Sequence, residues 1–228
     1  MFYGFLDYSM VLLIPGLIFA AYAQGKVKST YNRYLKVLNN RGITGAETAK
    51  EILNKNGLYD INIEVVKGKL SDHYDPRKRV LRLSKDVYYG KSIASIGIAA
   101  HEVGHAIQHS KNYTPLTFRN AIAPVVGFAS NSAWFLFFIG IMFSFTSLMY
   151  LGIVFFASAV VFNLITLPVE FNASSRAIYQ LENSSIVLES ETYGVKKVLD
   201  AAALTYVAGT IMAFLQLLRM IILSGSRD

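Results

Sequence analysis

NAIAPVVGFASNSAWFLFFIGIMFSFTSLMYLGIVFFASAVVFNLITLPV, residues Asn120 to Val169, holds no charged side chain in 50 positions. A membrane helix takes about 20 apolar residues, so this run is long enough for two. Its most turn-like stretch is Phe143-Ser-Phe-Thr-Ser147. The run therefore predicts a transmembrane hairpin with spans near 122–142 and 149–168. A hairpin buried in a soluble core is the competing reading. Outward from the hairpin, Ala203 to Leu223 is a further span, broken only by Arg219 near one end, and Tyr8 to Ala23 supplies another, with Pro15 and Gly16 inside it. Membrane helices tolerate Gly and Pro better than soluble ones do. A cleaved signal peptide fits the N-terminus poorly, because Asp7 stands where a basic n-region is required.

The whole composition agrees with four spans. The 228 residues are 53% hydrophobic and only 16% charged, against about 25% charged in soluble domains. Disorder is excluded. With no cysteine, a disulfide framework, a thiolate-held metal and a cysteine nucleophile are excluded too, so any metal falls to His, Asp or Glu. The net charge of +7 is not gathered into the basic, aromatic-interleaved stripe that nucleic-acid binding needs. It tracks topology instead. Lys26, Lys28, Arg33 and Lys36 follow the first span, Lys111 and Arg119 precede the second, Arg176 follows the third, and Lys196 and Lys197 precede the fourth. The other side carries only Arg219 and Arg227. The positive-inside rule then puts residues 25–120 and 170–200 in the cytoplasm and both termini outside.

The segment between the first two spans reads as a small α+β part. Thr44-Gly-Ala-Glu47 is a capping box that opens a helix ending at Asn56-Gly57. Ile61 to Val66 alternates like a strand, Gly68 to Pro76 is turn-rich, and Arg79 to Ser84 alternates again. Ser92 to about Ser110 is an Ala- and Ile-rich helix. The expected order is helix, strand, strand, helix.

That last helix contains His101-Glu102-Val103-Gly104-His105. Side chains at i and i+4 lie one above the other, so the two imidazoles can hold one zinc ion. Glu102, about 100° round the helix, reaches a water rather than the metal. This is the HExxH signature of zinc peptidases, and a chain of this composition produces it by chance in roughly two shuffles of a thousand. The apolar turns before it, Ile93, Ile96, Ile98 and Ala99-Ala100, predict a buried helix, where two His and a Glu need a reason. Three protein ligands are expected at a catalytic zinc. The extended motif fails, since Gln108 and Lys111 stand at its Gly and His positions. His109 lies two turns along, His73 is the remaining histidine, and a carboxylate would give a His₂Glu site. Glu170, ending the uncharged run at the membrane face to which the hairpin returns, is the leading carboxylate. An interfacial Glu that merely ends a span is the alternative. Arg176, six residues on, suits either a substrate carbonyl and oxyanion or a lipid phosphate.

Leu70-Ser-Asp-His-Tyr-Asp-Pro-Arg77, Ala100-His-Glu-Val-Gly-His-Ala-Ile-Gln108, Leu167-Pro-Val-Glu-Phe-Asn-Ala-Ser-Ser-Arg-Ala177 and Ala201-Ala-Ala-Leu-Thr-Tyr-Val-Ala208 together resemble the bacterial YugP-type membrane zinc metallopeptidases, along nearly the whole chain. The resemblance implies a bacterial plasma-membrane protein, with a looser kinship to the HtpX and CAAX-prenyl protease group. It implies one catalytic Zn²⁺ on His101, His105 and Glu170, with Glu102 as general base. The chain departs from the pattern at Asn172, where many members are expected to carry Asp, and at Ser174, where the prenyl-protease group has Asp. A carboxylate that fixes a His tautomer is therefore not assured, and Asp75, Asp86 and Asn172 are the candidates for that task.

The expected architecture is a mainly α-helical integral membrane protein of about four transmembrane helices with a small α+β cytoplasmic zinc-peptidase domain. Its parts are a first transmembrane helix (1–24), the catalytic part (25–120), the hairpin (121–169), a cytoplasmic helical segment with the third ligand (170–200) and the last transmembrane helix with the C-terminus (201–228). The expected function is a metalloendopeptidase, its partners being the lipid bilayer and a protein or peptide substrate. The location suits quality control of membrane proteins. The strand at Val80–Ser84 is the expected edge for an extended substrate, or else an internal strand. His73 and Tyr74 are either oxyanion donors or turn residues. A zinc-binding scaffold, sensor or carrier is the competing class. Glu102 argues against it, because a structural site needs no free carboxylate beside its metal. A transporter would place ionisable groups near the bilayer midplane, and the 120–169 hairpin has none.

Overall fold

The computed structural model describes residues 8–225; Asp7 and Arg227, used above for the signal peptide and topology, lie outside the described residues. Among the described residues, four helices are long and apolar enough to cross a membrane: Ser9–Tyr34, Thr114–Phe143, Thr146–Asn183 and Glu189–Gly225. The chain is an integral membrane protein, mainly helical, with a small sheet. In order, a 3₁₀ turn over Tyr8–Leu13 leads into α1 (Ile14–Tyr34), followed by α2 (Gly45–Lys55), β1 (Asn62–Val66), β2 (His73–Asp75), β3 (Val80–Ser84), α3 (Lys85–Tyr88), α4 (Ile93–Ser110), α5 (Thr114–Phe143), α6 (Thr146–Asn183) and α7 (Glu189–Gly225). The helices overrun the expected spans. Pro168 does not stop α6, which continues through Glu170.

The chain forms two compact units. In one (residues up to 24, 117–168 and from 204 on), apolar side chains face outward: Val125, Phe128, Phe135 and Met142 are each about 70% exposed. Water would punish such a surface, whereas hydrocarbon solvates it and leaves the helical backbone to satisfy itself. The inward contacts are small and aromatic. Phe137 is fully buried beside Met149 and Met220, edge-on to Trp134 at 6.2 Å. A Cβ on Gly152 would fall 2.8 Å from the Ala133 carbonyl oxygen, so α5 and α6 touch through backbone, as small residues permit in membranes. The turn between them passes through Ser144 at φ 56°. Arg219 is held by a hydrogen bond from Nε to Ser9 Oγ (3.2 Å).

The second unit (25–116 and 169–203) has a conventional core. The capping box forms as its spacing predicts: Glu47 N donates to Thr44 Oγ1 (3.1 Å), and Thr44 N donates to Glu47 Oε2 (2.7 Å). The bond from Thr44 N and a second from the Thr44 hydroxyl to the same Oε2 (2.9 Å) hold the Glu47 carboxyl below its usual range. α4, capped by Ser92 Oγ accepting from Ser95 N (3.1 Å), runs through the middle. Ile96, Ala99, Val103 and Ile107 bury there with Ile52 and Leu53 of α2, Leu81 and Leu83 of β3, Leu181 of α6 and Leu199 of α7.

The sheet corrects two expectations. A third strand, β2, lies inside the segment read as turn, and the strand order is β1-β3-β2. β3 is therefore central, parallel to β1 and antiparallel to β2, and is not an edge open to substrate. Burial of four of its five residues reflects cover on both sides.

Candidate metal centre

α4 and α6 supply the site within the second unit. His101 and His105 stack one turn apart on α4, their rings 4.9 Å apart and nearly perpendicular. Glu170 comes from α6 and is 4% exposed. Its Oε2 lies 3.4 Å from His101 Nε2 and 3.4 Å from His105 Nε2. One ligand atom from each of the three lies within 4.8 Å of the others, the one such group among the described residues. Zinc at 2.0–2.1 Å from nitrogen and oxygen donors sets neighbouring ligands of a tetrahedron about 3.3–3.4 Å apart. The donor set and its separations thus fit a zinc ion. Burial pushes the His105 imidazole toward neutrality, but its bond to Glu170 and the charges of Glu102 and Glu170 outweigh this and leave its pKa raised. A metal binding there competes with a proton.

The close approach of the two helices depends on Gly104, inside the motif. A Cβ at this position would stand 2.6 Å from the Ala173 carbonyl oxygen and 3.2 Å from that residue's C and Cα. Any other residue would hold α6, and Glu170 with it, away from the histidines.

The outer ring nitrogens have neutral partners. Ser174 Oγ lies 3.1 Å from His101 Nδ1, and Gln108 Oε1 lies 3.0 Å from His105 Nδ1. Gln108, the position where the extended motif fails, is fully buried. Its Nε2 donates to Val169 O (2.8 Å) and Asn172 Oδ1 (3.0 Å). Asn172 Oδ1 also accepts from Arg176 Nε (2.7 Å), and the Arg176 guanidinium lies 5.8 Å from the centre of the Tyr113 ring. Of the expected tautomer-fixing groups, Asn172 acts one step removed, through Gln108. Asp75 instead accepts from Arg77 N, Lys78 N and Arg82, and Asp86 faces Lys69 at 3.9 Å. Neither Ser174 nor Gln108 is the carboxylate that usually backs a metal-bound histidine, so the sequence alone does not mark them for this task. The only signal was that both replace a residue of a related motif.

Glu102 is 9% exposed. Its charge reaches His105 and also Asp72. Burial raises the Asp72 carboxyl, against the bonds it accepts from Ser84 N (2.7 Å) and Ser84 Oγ (3.1 Å). The remaining histidines stand outside the group. His109 Nδ1 bonds with the Tyr74 hydroxyl (2.9 Å), and His73 is exposed, with Nδ1 donating to Ser71 O (2.9 Å).

Helices fit to span a membrane and a His-His-Glu group able to hold a metal are the features expected of a membrane metallopeptidase, and the comparisons agree. Residues 9–225 match the family described as "Putative neutral zinc metallopeptidase". The chain is also 52% identical over 216 residues to the "Putative membrane protease YugP" of Bacillus subtilis (strain 168), covering 94% of this chain and 96% of that protein. The chain belongs to this zinc metallopeptidase family. No solved structure matches it.

Proposed function

We propose that this protein is a membrane-bound zinc endopeptidase working at the cytoplasmic membrane surface on membrane or misfolded proteins, with one zinc ion on His101, His105 and Glu170. The observation that carries the reading is the spacing of the three donor atoms, 3.4 Å from Glu170 Oε2 to each Nε2, beside an intact Glu102. A zinc ion held by His101, His105 and Glu170 would supply Lewis acidity toward a peptide carbonyl and a water molecule. Glu102 takes the proton of the attacking water at its carboxylate and returns it to the leaving amine nitrogen. Ser174 and Gln108 keep both imidazoles turned with Nε2 inward. β2 takes over from β3 as the edge on which an extended substrate pairs. The cytoplasmic side, with both termini outside, is supported by the Lys and Arg that flank the spans.

The test is cleavage of an unfolded or membrane-inserted substrate by the purified full chain against Glu102→Gln. The variant keeps zinc and loses cleavage; equal cleavage by both would sink the mechanism. A cysteine placed after Leu223 labels from outside the intact cell, and labelling only after lysis would reverse the topology.

A further inference from the structure

The orientation of one buried amide can be deduced from its neighbours. Asn172 presents a single atom to both Gln108 Nε2 and Arg176 Nε. A guanidinium only donates, so that atom is the Asn172 oxygen. Gln108 therefore points its NH₂ toward Asn172, and the Val169 carbonyl, an obligatory acceptor, takes the second hydrogen. The opposite orientation would set Gln108 Oε1 against two oxygens at 2.8 and 3.0 Å, with no water to intervene, because Gln108 is fully buried. Its Oε1 is thus committed to face His105 Nδ1 and can only accept. His105 must carry a proton on Nδ1, which leaves Nε2 as the nitrogen turned to Glu170 and available to a metal.

We infer that Gln108 is the positioning residue of the metal centre: one amide that fixes the tautomer of His105 and ties it to the turn of α6 that carries Glu170. Val169 is the residue before Glu170, so the same side chain governs two of the three donors. This rests on the zinc reading above. The arrangement replaces the carboxylate that commonly backs a zinc-bound histidine with a neutral group. The carboxamide is itself oriented by Asn172 and Arg176, so the specification originates in an arginine three contacts from the ring.

The test uses the full chain in detergent, as wild type, Gln108→Met and Gln108→Glu. Zinc release to excess chelator is about 10- to 100-fold faster in Gln108→Met, the range for loss of such a partner. The readout that a packing role would not move is the ¹⁵N signature of His105 in zinc-free protein. The wild type shows a protonated Nδ1, Gln108→Met loses that preference, and Gln108→Glu, still an acceptor toward His105, keeps it while releasing zinc faster than wild type. Unchanged tautomer and unchanged release in Gln108→Met would overturn the inference. So would faster release with the tautomer intact, which marks a packing role. If Gln108→Met does not fold, Gln108→Glu decides: release at the wild-type rate, or a lost Nδ1 proton, refutes. A wild type that holds no zinc refutes the metallopeptidase reading instead, and the tautomer measurement still judges Gln108.

Discussion

Gly104→Ala adds one methyl group at the point where α4 meets α6. That methyl would lie 2.6 Å from the Ala173 carbonyl oxygen, with the same residue's C and Cα at 3.2 Å. All three are backbone atoms, so no rotamer relieves the clash. An ordinary contact near 3.4 Å requires the helices to part by about 0.8 Å, whereas a metal site tolerates about 0.2 Å. Overpacking costs about 1–3 kcal/mol. Alanine returns up to about 1 kcal/mol of helix propensity over glycine, which leaves global stability down by about 0–2 kcal/mol. Zinc binding receives no such compensation. If the strain falls on the bound state, zinc affinity drops by about 5- to 150-fold. Chelator competition on the purified full chain measures the affinity, and thermal unfolding of the zinc-free protein measures the rest. Zinc held as tightly as in the wild type would refute the claim that Gly104 sets the distance between the ligand-bearing helices.

Other expectations follow from single contacts. Glu170→Ala lowers zinc stoichiometry in metal analysis of the purified protein; full occupancy would remove Glu170 from the ligand set. Asp72→Asn keeps an acceptor for Ser84 and removes a carboxyl whose folded pKa burial has raised. The stability given by the wild-type carboxyl is full below its unfolded pKa and lost as pH rises through the folded value. The variant therefore unfolds at a higher temperature than wild type at pH 7, and the gain vanishes in acid; a constant difference across pH would refute this. Thr44→Ala removes the bond from Glu47 N and costs about 1 kcal/mol, a drop of about 2–4 °C in thermal midpoint. No shift would mean that α2 is not limited by its cap.

Features with local causes were legible in the sequence. The hairpin needs only an absence of charge, and the structure turns at Ser144 within the stretch selected for it. The α2 cap needs only Thr44 and Glu47, three residues apart. The meeting of His101 and His105 follows from helical geometry. The place of Glu170 beside the two histidines accords with a topological argument, that a hairpin returns to the face it left. What the sequence hid depends on pairing across distance. β2 is three residues long between Gly68 and Pro76, too short for alternation to register, and with β2 unseen β3 looked like an edge. The span expected at 149–168 ends on Pro168, yet α6 passes through that residue, since a membrane helix tolerates the lost hydrogen bond. Gln108 and Ser174 look like failures of known motifs until the fold sets them against the ring nitrogens.

The brevity of β2 bears on how tightly a substrate can be held. An edge strand turns the backbone groups of alternate residues outward, so His73–Asp75 offers at most two residues and about four hydrogen bonds. At about 0.5–1.5 kcal/mol each these sum to roughly 2–6 kcal/mol, which corresponds to binding between tens of millimolar and tens of micromolar. On the proposed reading, with β2 as the substrate edge, so short a handhold discriminates poorly among chains free in solution. Confinement to the same bilayer raises a substrate's effective concentration without any new contact. Selection would then rest on residence in the membrane and on the time a segment spends unfolded beside it, more than on a recognised side-chain sequence.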